Sequence, residues 1–470
     1  MLTIDDLPDD VLLEMFDFYV VGYRDLGFRH LFEFRTIRED LESWQSLVHV
    51  CRRWRSLVFA SPRRLNLQIC CYTPEGSAKK SLDVWPALPL LIFGRVSEEL
   101  VDNVIPGLEH RISQINLSCG TISQPEKLWT AMQVPFPELV ALYLSYGPVL
   151  PDSFLGGSAP RLRYFYLDGV PFPGLPKLLL STTHLVNLYL HNISHSGYIS
   201  PEAMANCLSM LTSLESLHLH FEYGEYYPDL KSPRSFPPTR SVLSTLAIFL
   251  FKGESKYLEE FVAQIDAPQL YRLSTTFFYD IDFQIPELNQ FISRTPTLGA
   301  YDEARLVFDG CRAIVRLRQS QSKSSGHRMV EAEILSLEGG RQLSSLQICT
   351  SSLRLLLTME NLYIDGNRKS PLVGIWDDIW NTQWLDLLLP FTAVKNLYLS
   401  ELFSPHIARA LQELTGERIT ELFPALQNIL MEGFRPSNPV QKGIPQFISA
   451  RQLTCHPVAI SAWQRHFYWN

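Results

Sequence analysis

Histidines are the residues of this sequence best suited to chemistry. Five of the 12 histidines lie close together in the chain: His184, His191, His195, His218 and His220. In a β-strand, His218 and His220 project from one face, as two metal ligands would. No carboxylate or cysteine stands at a matching spacing, so the sequence predicts no metal site and no cofactor.

The other reactive side chains form no recognisable catalytic set. The eight cysteines include no C-x-x-C pair and no compact disulfide framework, so we expect reduced, mostly buried thiols. The motifs of P-loop nucleotidases, serine hydrolases, dinucleotide-binding enzymes and zinc proteases are missing from the sequence. We therefore predict that the protein is not an enzyme. A metal-dependent hydrolase built on the histidines is a remote alternative that needs additional acidic ligands.

Two further clusters have a structural and a functional interpretation each. Trp376, Trp380 and Trp384 follow each other at i, i+4 and i+8, a spacing more typical of a packed helix stripe than of a ligand box. A basic run near the N-terminus comprises Arg52, Arg53, Arg55, Arg63 and Arg64. A nuclear signal or a phosphate site is one interpretation of this run, and a solvated rim is the favoured one.

A leucine pattern indicates which elements position these residues. The chain contains 72 leucines among 470 residues, and the pattern L-x-x-L-x-L or an apolar variant of it recurs. Copies start at Ile112, Leu139, Leu162, Leu185, Leu214, Leu243, Leu343, Met359, Val394 and Leu426. The first six starts are 27, 23, 23, 29 and 29 residues apart, which fits one short strand plus a return segment per repeat.

This pattern predicts an α/β fold. The last two apolar residues of each copy alternate with outward-facing ones, which is strand periodicity, and stacked units bury a common core. We predict an irregular leucine-rich-repeat solenoid, a horseshoe with a parallel concave β-sheet. Some returns look helical, such as 201–211. The pattern blurs between Leu270 and Arg341, with polar loops predicted at 223–240 and 319–328.

The residue between the last two apolar positions then faces the concave surface. These residues are Asn116, Tyr143, Tyr166, Tyr189, His218, Ala247, Gln347, Tyr363 and Tyr398. We predict that an unknown protein target binds Tyr143, Tyr166, Tyr189, His218, Tyr363 and Tyr398, because tyrosine gives contact area at low entropy cost. The alternative is that tyrosine merely suits strands and covers the sheet.

The N-terminal region reads as helical. Pro8 suits a first turn, Asp9 and Asp10 complement the helix dipole, and apolar residues recur at helical spacing up to Tyr19. A second helix is predicted from Trp44, with two apolar stripes that extend to Val58. The intervening segment, 20–43, reads as an insertion.

The segments LPDDVLLEMFDFY (7–19) and WQSLVHVCRRWRSLVFASPRRLNLQ (44–68) resemble an F-box. The whole chain is similar to the F-box/leucine-rich-repeat family of basidiomycete fungi, including WLDLLLPFTAVKNLYLS (384–400) and ARALQELTGERITELFPALQNI (408–429). The resemblance implies that the F-box docks onto a Skp-family adaptor of a cullin–RING (SCF-type) ubiquitin ligase. The adaptor-facing residues that it implies are Leu7, Pro8, Leu12, Leu13, Phe16, Leu47, Val50, Cys51 and Trp54. The insertion is longer than the usual link, and either lies on the far side or obstructs docking.

These observations predict the following organisation. An F-box domain spans 1–70 with an insertion at 20–43, a connecting segment spans 71–105, leucine-rich repeats span 106–435 and a C-terminal cap spans 436–470. The net charge of −8 argues against nucleic acid as a partner, and the longest apolar stretch is too short to span a membrane. The acidic N-terminus is unlike a signal peptide, so we expect a cytoplasmic or nuclear location. The predicted function is recruitment of target proteins to the ligase; the alternative is a repeat scaffold outside any ligase.

Overall fold

The structure, a computed structural model, describes most of the chain. The described residues are 4–21, 43–73, 85–96, 100–120, 125–224, 239–278, 285–299, 301–319, 328–336, 339–351, 353–366, 381–414, 418–433 and 443–464. Nearly all of the predicted insertion at 20–43 lies outside them, as do most of the loops predicted at 223–240 and 319–328. Among the helices in these ranges, none is long and apolar enough to cross a membrane.

Strands and helices alternate along most of the chain. The strands are β1 (Ile69–Thr73), β2 (Leu90–Arg95), β3 (Ile112–Ser118), β4 (Ala141–Ser145), β5 (Tyr164–Asp168), β6 (Asn187–Ile193), β7 (Ser216–Phe221), β8 (Ser241–Val242), β9 (Ile248–Gly253), β10 (Ile265–Asp266), β11 (Arg272–Phe277), β12 (Glu303–Asp309), β13 (Arg312–Arg318), β14 (Met329–Leu335), β15 (Asn361–Gly366), β16 (Asn396–Leu399), β17 (Asn428–Glu432) and β18 (Ala459–Trp463). The helices are α1 (Asp9–Val21), α2 (Trp44–Val48), α3 (Arg52–Ala60), α4 (Pro125–Ala131), α5 (Leu175–Leu179), α6 (Pro201–Leu208), α7 (Ser255–Val262), α8 (Pro286–Arg294), α9 (Gly339–Ser351), α10 (Asn381–Leu388), α11 (Ser404–Gln412), α12 (Arg418–Glu421) and α13 (Gly443–Leu453).

The chain forms two compact units. The first unit comprises Met1–Tyr189 and Ser196–Tyr198, and the second comprises Leu190–His195 and Ile199–Asn470. The boundary falls within β6, so this strand contributes its start to the first unit and its end to the second.

Among the described residues before β1, the first unit has three α-helices where the sequence predicts two. The prediction of one continuous helix from Trp44 to Val58 is wrong, because the chain leaves the helical conformation between α2 and α3. Cys51 there is extended, with φ −154° and ψ 171°, and its Sγ accepts a hydrogen bond from the Trp54 backbone N–H at 3.4 Å. A side-chain acceptor at this position starts a new helix, as serine or asparagine does at other N-termini.

The sheet of the first unit is parallel throughout. Strands β1 to β5 pair in chain order, in a register that aligns Leu142 with Phe165 and Leu144 with Leu167. All four of these side chains are buried, because each repeat turns the same two apolar positions toward the core. Strands β1 and β2 precede the first predicted repeat, so the sheet starts earlier than the leucine pattern indicates.

The sheet of the second unit is mainly parallel but contains an antiparallel insertion. After the end of β6, its strand order is β7-β9-β11-β14-β13-β12-β15-β16-β17-β18. Strand β13 pairs antiparallel with both of its neighbours. The pairs β7–β9, β9–β11, β11–β14, β12–β15, β15–β16, β16–β17 and β17–β18 are parallel. Strand β18 adds a parallel strand inside the predicted C-terminal cap. The predicted α/β class with a largely parallel sheet is confirmed.

Two of the predicted repeats are wrong. Leu343, Leu346 and Ile348 lie in helix α9 rather than in a strand. The copy predicted to start at Leu243 is placed three residues too early, because Phe249 and Phe251 occupy the buried positions of β9. Strand β11 has no predicted counterpart, since a threonine replaces its third apolar residue.

The helices between strands bury one face each. Helix α7 buries Tyr257, Leu258, Phe261 and Val262, which recur at helical spacing. The Tyr257 hydroxyl donates a hydrogen bond to the Ile199 carbonyl at 3.1 Å, so its polar atom is satisfied inside the core. Each such large side chain stabilises the fold by about 1.5–3 kcal/mol when fully buried.

Candidate functional site

Three tyrosines of the first unit form a row across neighbouring strands. This tyrosine row consists of Tyr143 on β4, Tyr166 on β5 and Tyr189 on β6. Tyr143 and Tyr166 are direct cross-strand partners, and successive ring centroids in the row lie 5.9 and 6.1 Å apart. The sequence therefore predicted the alignment of the first two correctly, because one strand position per repeat recurs in a parallel sheet.

Burial differs along the tyrosine row. Tyr143 is only 8% exposed, whereas Tyr166 and Tyr189 are half-buried. Burial raises the pKa of Tyr143 and of Tyr166 above the usual value, so both phenols stay neutral donors at physiological pH. The Tyr189 hydroxyl donates to Asn187 Oδ1 at 3.2 Å. Tyr166 and Tyr189 are thus the members of the row whose rings are partly accessible.

An aromatic cluster of similar chemistry lies in the second unit. Tyr363 and Tyr398 are cross-strand partners whose rings stack with centroids 4.1 Å apart and planes 9° apart. Trp463 on β18 packs against both rings, at 5.9 and 5.5 Å. Burial also raises the pKa of Tyr363. The sequence interpretation missed Trp463 because β18 carries no leucine pattern.

An amide ladder accompanies this cluster. The Asn396 Nδ2 donates to Asn361 Oδ1 at 2.9 Å, and the Asn428 Nδ2 donates to Asn396 Oδ1 at 2.8 Å. The sequence signal was the tetrapeptide N-L-Y-I or N-L-Y-L, which occurs at 187, 361 and 396. Such a ladder fixes the strand starts and adds amide groups beside the aromatic rings.

Where the antiparallel strands are inserted, charged residues that form ion pairs take strand positions that tyrosines hold in other repeats. The pairs join Arg305 to Asp365, Arg318 to Glu303 and Arg316 to Glu331. Asp365 is fully buried, and its Oδ1 also accepts the Gly366 backbone N–H at 2.7 Å. Removing one partner of a buried pair leaves an uncompensated charge, so these pairs hold the strands in register. The alternating charges of β13 and β14 were the available signal.

His218 lies in the second unit beside two other histidines. The ring centroids of His191 and His220 are 4.2 Å apart, and those of His191 and His218 are 5.7 Å apart. Burial, together with the positive charge of neighbouring groups, lowers the pKa of His218 and of His220 to about 3. Two other predicted surface positions fall elsewhere: Ala247 precedes β9, and Gln347 lies in α9.

The residues predicted to face an adaptor divide into a buried and an accessible set. Buried residues are Leu12, Leu13, Phe16 and Leu47. Accessible or half-buried residues are Leu7, Pro8, Val50, Cys51 and Trp54. The Phe16 and Trp54 rings pack with centroids 4.6 Å apart, so the buried set joins the helices to each other.

Helix α1 also exposes apolar side chains that the resemblance did not imply. Val11, Met15 and Phe18 are 42%, 46% and 86% exposed, and they follow each other at i, i+4 and i+7. Val50, between α2 and α3, is a further exposed apolar residue of this region, at 58%. Periodicity alone did not separate these residues from the buried ones, because α1 is apolar on more than one face.

The basic run and the tryptophan stripe have mainly structural surroundings. Arg53 donates from Nε and Nη2 to Asp9 Oδ1 at 3.1 and 2.6 Å, and Arg64 pairs with Glu14. Trp384 is buried against Phe308, with ring centroids 5.4 Å apart. Trp376 and Trp380 lie outside the described residues.

Comparison with models of protein families and with curated proteins finds no match. Among solved structures, the chain is similar to the leucine-rich repeat-containing protein LegL7 from Legionella pneumophila, with 14% identity over 84% of this chain and 99% of that one and a TM-score of 0.26. It is also similar to an internalin (inlF) from Listeria monocytogenes, with 14% identity over 63% of this chain and 76% of that one and a TM-score of 0.24. At these TM-scores, the repeat architecture is defined by this chain's own strands and not by the likeness.

Proposed function

We propose that the chain recruits target proteins to a cullin–RING ubiquitin ligase. In this proposal the N-terminal helices bind a Skp-family adaptor, and the tyrosine row binds the target. The protein carries out no chemistry; it raises the effective concentration of the target near the catalytic partner.

The observation that carries target binding is the half-buried pair Tyr166 and Tyr189. Their rings stand on neighbouring strands with centroids 6.1 Å apart, and both are partly accessible. Aromatic side chains of this kind dominate protein interfaces, because they bury large areas and lose little side-chain entropy. The row therefore fits a peptide or loop of a partner protein.

The test compares the proteins captured by the full chain and by its Tyr166→Ala/Tyr189→Ala variant. We expect the double variant to lose its targets, since truncating a central aromatic residue commonly costs about 2 kcal/mol or more of binding energy. Tyr223→Ala, at an exposed tyrosine outside the row, is the matched control. Capture of the same targets by the double variant, at an unchanged melting temperature, would refute this role.

Adaptor binding rests on the F-box resemblance and on the accessible apolar surface of α1 with Val50. A partner that covers Val11, Met15, Phe18 and Val50 gains apolar burial of about 25 cal/mol per Å² removed from water. The buried residues Leu12 and Phe16 hold the helices in place beneath that surface.

Direct binding of a purified Skp-family adaptor tests this part. The Met15→Asp/Val50→Asp variant should lose adaptor binding while it keeps its fold, because both side chains are exposed. Leu180→Asp changes another exposed apolar residue, 56% accessible, and should bind normally. If the chain binds its targets but no adaptor, the repeat-scaffold alternative replaces the ligase role.

A further inference from the structure

Three histidines from two neighbouring strands of the second unit gather their ring nitrogens in one place. His191 lies on β6, and His218 and His220 lie on β7. One nitrogen of each imidazole lies within 4.8 Å of the corresponding nitrogens of the other two. Strand periodicity predicts only the pair on β7, because the third histidine comes from the preceding repeat.

We propose that His191, His218 and His220 bind one divalent metal ion of the zinc class, with a fourth coordination position left to water or an anion. This inference goes beyond the proposed function and departs from the sequence-based prediction of no metal site. It does not depend on adaptor or target binding.

The donor set and its spacing support the proposal. Imidazole nitrogen is a preferred ligand of zinc, copper, nickel and iron, and three protein ligands with one open position are a common zinc arrangement. Tetrahedral coordination at zinc–nitrogen distances of about 2.0–2.1 Å places the nitrogens about 3.4 Å apart. Small rotations about the side-chain torsions of the three half-buried rings close the remaining gap.

The strand pairing also brings the three rings together. His191 comes from the end of β6, and His218 and His220 come from one face of the adjacent strand β7. The His191 and His220 rings stack with planes 14° apart, so one ring must tilt before both in-plane lone pairs reach a shared ion. Because the two strands already hold the rings close together, little entropy is lost in gathering the ligands.

Two cations near the histidines indicate the fourth ligand. Lys252 on β9 is the cross-strand partner of His220, and Arg272 lies on β11, the strand that follows β9 in the sheet. A bound dication would raise the local positive charge further. We therefore expect the fourth ligand to be an anion, such as hydroxide, phosphate or a carboxylate, which offsets that charge.

Cobalt provides the experiment, because tetrahedral Co²⁺ substitutes for zinc and absorbs visible light. The full chain is stripped with a chelator, dialysed and titrated with Co²⁺, and Zn²⁺ is then added as competitor. We expect one Co²⁺ per chain with intense visible bands, displacement by Zn²⁺, and a higher melting temperature in Zn²⁺. Absence of a one-to-one complex for both ions would overturn the proposal.

Single substitutions locate the site. His191→Asn, His218→Asn and His220→Asn should each weaken Co²⁺ binding by more than the roughly tenfold typical of losing an outer-shell contact. His184→Asn and His195→Asn, at exposed histidines outside the cluster, should bind as the wild type does. Melting curves in chelator show whether each variant is folded. Retained affinity in a folded His218→Asn/His220→Asn variant would place the metal elsewhere and contradict the assignment.

Discussion

At the scale of residues, equal positions in successive repeats do not mean equal roles. Tyr143 and Tyr166 are cross-strand partners, yet Tyr143 is 8% exposed and Tyr166 is half-buried. Alternation along a strand predicts which face a side chain occupies, but what covers that face depends on parts of the chain distant in sequence. Tyr143 thus belongs to the packing of the first unit more than to its accessible surface.

This difference predicts unequal costs of truncation. Tyr143→Ala should lower the free energy of unfolding by about 3 kcal/mol, as expected for removing a buried aromatic ring. Tyr189→Ala should lower it by about 1 kcal/mol or less, because part of that ring is already in water. Urea denaturation of the two variants measures both values. Equal losses of stability would show that exposure does not distinguish the two residues.

A second prediction at the scale of residues concerns Glu259 and the pH dependence of stability. Its carboxylate accepts the backbone N–H groups of Glu287 and Leu288 at 3.0 and 2.8 Å, at the start of α8. Burial raises the pKa of this carboxyl from 4.5 to about 7. Because the folded-state pKa is the higher one, the folded state keeps a proton that the unfolded state releases between these values. This contribution to stability is complete below pH 4.5 and is lost as the pH rises through 7.

Glu259→Gln removes this titration. Relative to the wild type, the variant should gain about 2 kcal/mol in unfolding free energy between pH 4.5 and pH 8, with partial exposure allowed for. Urea titrations at a series of pH values give the difference. Glu222→Gln, at an exposed glutamate, is the matched control. If the difference in unfolding free energy between Glu259→Gln and the wild type does not change with pH, the two N–H donors keep the carboxylate charged throughout.

At the scale of elements, the leucine pattern succeeds where strand periodicity is its only interpretation. Leu142 and Leu144 alternate with outward residues, and they occupy β4 as predicted. Leu343 and Leu346 belong to an identical pattern, but burial continues at helical spacing to Cys349 and Thr350, and these residues lie in α9. Thr275 on β11 is buried although it is polar, so an apolar pattern does not find that strand.

Buried and outward-facing residues alternate along β6, so a substitution at Leu188 tests the repeat core. Leu188 is fully buried in β6, so Leu188→Asp places a charge in the apolar interior and should destabilise the protein by several kcal/mol, about 3 or more. Leu180→Asp makes the same substitution at a leucine that is 56% exposed, and should cost less than about 1 kcal/mol. Thermal and urea unfolding of the two variants provide the comparison. A mild effect at Leu188 would contradict the placement of β6.

The candidate site was predictable only in part. The tyrosine positions follow from one repeat at a time, which is information local in sequence. The histidine cluster needs His191 beside His220, two residues that only the pairing of β6 with β7 brings together. The ion pairs of β12 to β15 depend on the inserted antiparallel strands, which the repeat pattern does not contain.

At the scale of the whole molecule, neighbouring strands are stabilised by each other. A chain that ends near residue 220 keeps β7 but loses β9, which pairs with it along Ser216–His220. The exposed edge offers unpaired backbone groups to other chains, so we expect this truncation to aggregate. Size-exclusion chromatography and calorimetry test this expectation. A monomeric, cooperatively melting product would show that an independent domain closes before that point.

The antiparallel strands of the second unit limit how many strands this segment can contain. Strands β12 and β14 run in the direction of β11, and only β13 runs against it, so three strands occupy the place of one. An excess of two strands returns the chain to its original direction, and β15 to β18 continue parallel. An excess of one would reverse every later strand relative to its return helix. The segment can therefore gain or lose strands only in pairs if the remainder of the sheet is to keep its polarity.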